Sequence, residues 1–82
     1  MSKKHKLLKK IMSKPSKRDI TYKELESLLT GLGYQKVEGS GSRVSFYNFE
    51  FDNLIELHRP HPGNELKFYQ VKLIQEKLNE IL

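Results

Sequence analysis

Apolar positions along this 82-residue chain change their period twice. Leu7, Leu8, Ile11 and Met12 recur near i, i+4 spacing among lysines, which predicts a short amphipathic helix from Lys3 to about Lys14. Pro15 ends it, because proline disfavours helical geometry at the residue before it, and a polar linker follows. Thr21-x-x-Glu24 has the form of a capping box, in which hydroxyl and carboxylate each close one orphan backbone donor. Leu25, Leu28, Leu29 and Leu32 then build one apolar helical face. Gly31 and Gly33 are placed to end this second helix, one of them in a left-handed cap.

From Tyr34 the period shortens to two. Tyr34 to Glu38 alternates weakly and predicts a first strand with Val37 inward. After the Gly39-Ser40-Gly41-Ser42 turn, Arg43 to Asn48 alternates cleanly, Val44 and Phe46 on one face and Arg43, Ser45 and Tyr47 on the other. Acidic and amide residues between Glu50 and Asn53 mark the next turn. Leu54 to His58 reads as a third strand, Ile55 and Leu57 inward, Glu56 and His58 outward. Helical spacing returns from Phe68 to Leu82, where Val71, Ile74, Leu78 and Ile81 share a stripe widened by Leu73 and Leu82. The order predicts an α+β, two-layer sandwich: a three-stranded antiparallel sheet, helices on one face, an extra N-terminal helix, and the other sheet face open. Residues 1–18 form a helical arm and linker, and residues 19–82 the domain.

Composition narrows the class. The size suits one small domain, and 37% apolar with 30% charged residues is globular rather than disordered. No cysteine is present, so disulfides and thiolate metal sites are excluded. Lysines interrupt every apolar run of the N-terminal region, and no segment approaches the roughly 20 apolar residues of a membrane span, so a cytoplasmic protein is expected. The net charge of +5 is uneven. Residues 1–18 hold eight of the fifteen Lys and Arg and no acid, whereas the rest hold seven bases against ten acids. Such an arm is either a nucleic-acid contact or the wet face of a packed helix.

Candidate chemistry gathers at the stretch from His58 to Lys67. Pro60 and Pro62 stiffen it and bias His61 toward extended geometry. A hairpin of the second and third strands brings Arg43 close to His58 on the open face, with His61 just past the strand end and Gly41-Ser42 closing over the same edge. An arginine fork, Gly-rich backbone donors and a histidine that titrates near neutral pH together suit a phosphodiester. Other chemistries fit less well. His58 and His61 would need Glu56 or Asp52 to complete a metal site. Ser40, Ser42 and Ser45 lack a Ser-His-Asp arrangement, and the glycine-rich turn lacks the Gly-Lys-Ser/Thr of a phosphate loop. Tyr47, Phe49 and Phe51 form a candidate exposed aromatic patch, with Phe51 the ring expected to fold back over the core edge.

Gly41-Ser42-Arg43-Val44-Ser45-Phe46 followed by His61-Pro62-Gly63-Asn64-Glu65-Leu66-Lys67, between a leucine helix and an Ile/Leu helix, resembles HicA-type toxins. These are the mRNA interferases of HicAB toxin–antitoxin pairs. The resemblance covers about Ile20 to Leu82, and the basic arm is an extension to it. It implies a double-stranded-RNA-binding-domain-like fold, metal-independent cleavage of mRNA without a cofactor, and neutralisation by a HicB-type antitoxin. The family pattern usually has a catalytic histidine where this chain has Arg43, and arginine cannot act as a general base at neutral pH. The catalytic candidates are therefore His61, His58 and Arg43, with Gly41, Ser42, Lys67 and Lys72 as RNA contacts. A non-catalytic RNA-binding module and a protein acting only through a partner are the alternatives.

Overall fold

The computed structural model describes residues 3–13, 19–60 and 63–82. Among them the chain forms α1 (Lys3–Ile11), α2 (Tyr22–Gly31), β1 (Gln35–Glu38), β2 (Arg43–Asn48), β3 (Asn53–His58) and α3 (Phe68–Asn79). The boundaries of α2 follow from its caps. The Thr21 hydroxyl accepts from the Glu24 N–H at 3.2 Å, and the Glu24 carboxylate accepts from the Thr21 N–H at 3.0 Å. At the other end Gly33 takes a left-handed conformation (φ +98°), its N–H donates to Thr30 O and the Tyr34 N–H donates back to Leu29 O. That closes a Schellman motif, and a Cβ at position 33 would strain it.

The Glu24 carboxylate has a second use. It accepts from the Lys10 ammonium at 3.0 and 3.1 Å, which pins α1 to the start of α2. Leu7 and Ile11 enter the same core as the α2 leucines, and the Gln75 amide of α3 donates to the Ile11 carbonyl at 2.7 Å. Lys6 and Lys9 stay exposed. The basic arm is thus a packed helix with a wet lysine face. The proline linker that follows it, from Lys14 to Arg18, lies outside the described residues.

The sheet order is β1-β2-β3, antiparallel throughout. Val44, Phe46, Ile55 and Leu57 face the helices and are buried with Leu25, Leu28, Leu29, Val71, Ile74 and Leu78. Phe46 is fully buried at the centre of this layer, and its truncation to alanine is worth about 3–5 kcal/mol. Helices on one side and an open sheet face on the other form the expected α+β architecture.

Three expectations are corrected. Val37 is 59% exposed, because it pairs with Ser45 on the open face, while Lys36 and Glu38 pair with Phe46 and Val44 on the helix side. A one-residue change of register exchanges every side chain between faces. On the helix side of this edge strand Lys36 pairs with Glu26 of α2 at 2.5 Å. Leu82 is 65% exposed, since α3 ends at Asn79 and the chain leaves the stripe. Phe51 is 47% exposed rather than folded over the core edge, because Asn48 and Asn53 occupy that edge. The Asn48 side-chain carbonyl caps the N–H groups of Glu50 and Phe51, and Asn53 accepts from the Tyr34 hydroxyl at 2.6 Å and donates to the Lys77 carbonyl at 3.2 Å.

Candidate functional site

Antiparallel pairing sets Arg43, the first residue of β2, directly opposite His58, the last of β3. Opposed Cβ atoms in such a ladder are about 4.5–5.5 Å apart, so both side chains leave the open face from neighbouring points. Both are exposed. Among the described residues the Arg43 guanidinium has no hydrogen-bond or ion-pair partner, which leaves its fork available to an anion.

His58 is positioned from three directions. Its ring Nδ1 lies 3.1 Å from the Ser42 hydroxyl, and its carbonyl accepts from the buried Gln70 amide at 2.8 Å. Arg59, the next residue, ties the strand end to the glycine-rich turn. Its N–H donates to Ser42 O at 2.8 Å, and its guanidinium donates to Gly41 O at 2.9 Å and to Glu38 at 3.0 Å. Gly41, at φ +65°, supplies the left-handed residue that lets this turn close. A serine hydroxyl both donates and accepts, so Ser42 can serve either neutral tautomer of His58. The outer nitrogen Nε2 has no hydrogen-bond partner among the described residues.

Two shallow depressions meet at His58. One, of about 310 Å³, is lined by Gly39, Arg43, Val44, Ser45, Glu56, Leu57 and His58. The other, of about 360 Å³, is lined by Ser42, His58, Arg59, Pro60, Lys67, Tyr69 and Gln70. Ser42 and Lys67 are therefore beside His58. Lys72 is exposed on α3 and lines neither depression. Gly41 also contributes its carbonyl, which accepts from Arg59. His61 lies outside the described residues.

Two positioning residues had weak signals in the sequence. Arg59 follows the strand directly, yet nothing in its neighbours shows that it will strap a turn 18 positions earlier. Gln70 stands three residues after Lys67 and accepts from its N–H at 2.9 Å, half of a capping box whose N-cap residue is atypical. At the far end of the same face the Tyr47 hydroxyl donates to the Asp52 carboxylate, and this hydrogen bond pushes the phenol above its usual value. The Tyr47 and Phe49 rings meet edge to face, with centroids 4.7 Å apart. No group of three His, Cys, Asp or Glu placed to hold a metal ion occurs among the described residues. No described helix is long and apolar enough to cross a membrane.

Compared with known families, residues 22–80 match the model of the HicA toxin of bacterial toxin–antitoxin systems. The match begins with the first residue of α2, takes in the whole sheet and α3, and leaves α1 outside. No curated protein and no solved structure matches the chain.

Proposed function

The chain belongs to the HicA toxin family of bacterial toxin–antitoxin systems, and on that premise we propose that it acts in the cytoplasm on mRNA, cutting it at the Arg43–His58 pair. A phosphodiester seated between them has its equatorial oxygens on the Arg43 fork, which stabilises the charge that builds there during attack. The ribose 2′-hydroxyl attacks the adjacent phosphorus and loses its proton to the free nitrogen of His58. The bond to the 5′-oxygen breaks, and that oxygen takes up a proton from the imidazolium. The products are a 2′,3′-cyclic phosphate and a 5′-hydroxyl, and the histidine returns to its starting state. His61 is the second candidate for one of these proton transfers, and Lys67 holds the neighbouring phosphate. The observation that carries this reading is the register that sets Arg43 against His58. A HicB-type antitoxin neutralises the toxin by covering the same open face.

The test is incubation of single-stranded RNA with the purified full chain in EDTA. Cleavage to cyclic-phosphate ends is expected, falling about 10²-fold or more in His58→Ala, with His61→Ala run beside it. Full cleavage by His58→Ala removes the chemistry from this pair. If the wild type binds RNA and leaves it intact, the protein is an RNA-binding module, the reading that an arginine in the usual histidine position favours.

A further inference from the structure

The open sheet face carries more than the cationic end. Tyr47 and Leu54 lie opposite each other on it, Val37 sits one row away on β1, and Phe49 continues the line into the hairpin turn. Phe49 is 69% exposed, Val37 59% and Leu54 39%. Resting on the RNA reading above and sharpening it, we propose that Tyr47 and Phe49 form a base-stacking platform, and that the face therefore takes unpaired RNA rather than duplex.

Geometry and charge argue for this occupant together. Arg43 and Tyr47 point the same way on one strand, four residues and roughly 13 Å apart at about 3.3 Å per residue. Phosphates along a nucleic-acid strand advance about 3.4 Å each in a duplex and more when stretched, so this is a reach of roughly two to four nucleotides. A strand with one phosphate on Arg43 thus brings its next bases over the two rings. In a duplex the base faces are already stacked on one another, and exposed apolar rings would meet only sugars and phosphates. Unpaired bases have a free π-face for each ring. The edge-to-face contact of Tyr47 and Phe49 holds the pair in place before a base arrives. Glu56 lies on the face between the cation and the rings, opposite Ser45. A carboxylate there repels phosphates and accepts from exocyclic amino groups, so it turns base edges rather than backbone toward the sheet.

The experiment measures binding of the full chain to a 2′-O-methyl oligonucleotide, which lacks the attacking hydroxyl, as a single strand and annealed to its complement. Wild type is expected to prefer the single strand. Phe49→Leu, which keeps an apolar side chain without a π-face, is expected to weaken single-strand binding about tenfold with no change in salt dependence, and Phe49→Trp to restore it. Equal affinity for strand and duplex, or wild-type binding by Phe49→Leu, overturns the platform while leaving RNA binding intact. If Phe49→Leu loses only its ability to copurify with a protein partner, the rings belong to a protein interface and the platform is likewise overturned. Failure of the wild type to bind either oligonucleotide removes the RNA reading beneath it.

Discussion

The buried side-chain amide of Gln70 donates to the carbonyl of His58 at 2.8 Å while its oxygen accepts from the N–H of Lys67 at 2.9 Å. One side chain in the first turn of α3 thus fixes both the exit of β3 and the start of the last helix. Gln70→Leu fills the space and leaves two backbone groups without partners. The cost is about 1–3 kcal/mol in a urea melt. RNA cleavage should fall further than in a variant of equal stability loss at Leu25, because only the former releases His58.

Arg43 is expected to act on RNA through charge. Arg43→Ala weakens single-stranded RNA binding at low salt and lowers the slope of log affinity against log salt by about 0.7, the contribution of one phosphate contact. Arg43→Lys keeps the slope and loses the bidentate fork, so its cleavage rate falls while its salt dependence does not. Affinity titrations at several salt concentrations check both.

Asn53 is buried at 3% exposure between the Tyr34 hydroxyl and the end of α3. Burial pushes the Tyr34 phenol up, with Glu80 adding to the effect, so Tyr34 is a neutral donor at this contact. Asn53→Leu strands that hydroxyl and the Lys77 carbonyl, at a cost of about 2 kcal/mol read from denaturant midpoints. Asn53→Asp should recover the Tyr34 contact but not the Lys77 one.

The docking of α1 should depend on acid. Burial raises the Glu24 carboxyl, but the Thr21 N–H and the Lys10 ammonium together outweigh it, and the group ends below its ordinary value. A carboxyl depressed in the folded state adds stability above its unfolded value of about 4.3 and loses it as pH falls through the folded one. The stability gap between wild type and Glu24→Gln is therefore expected to be level above about pH 5 and to close as pH drops below about 4. Thermal melts across that range measure it, and the amides of α1 should lose hydrogen-exchange protection first.

Much of the fold was legible because local signals agreed with one another. Thr21 and Glu24 announced the start of α2, Gly33 its end, and the alternation from Arg43 to His58 set which face each residue would occupy. The nearness of Arg43 and His58 followed from a single assumption about where the hairpin turns. What stayed hidden depends on partners distant in the chain. The facing of β1 is set by its register on β2, with Lys36 reaching Glu26 ten positions before it, and the turn at Gly41 is strapped by Arg59. No periodicity within a short strand carries that information. Phe51 escaped for a related reason: two asparagines seal the core edge with hydrogen bonds, a task sequence pattern assigns to a ring.

The bond from Gln75 to Ile11 joins residues 64 positions apart. Translation delivers α1 and α2 before α3, so the leading helix packs on α2 first and gains this anchor only once α3 has emerged. A half-made copy lacks Lys67, Gln70 and the wall they build beside His58. The wall beside His58 is therefore completed only once α3 has emerged.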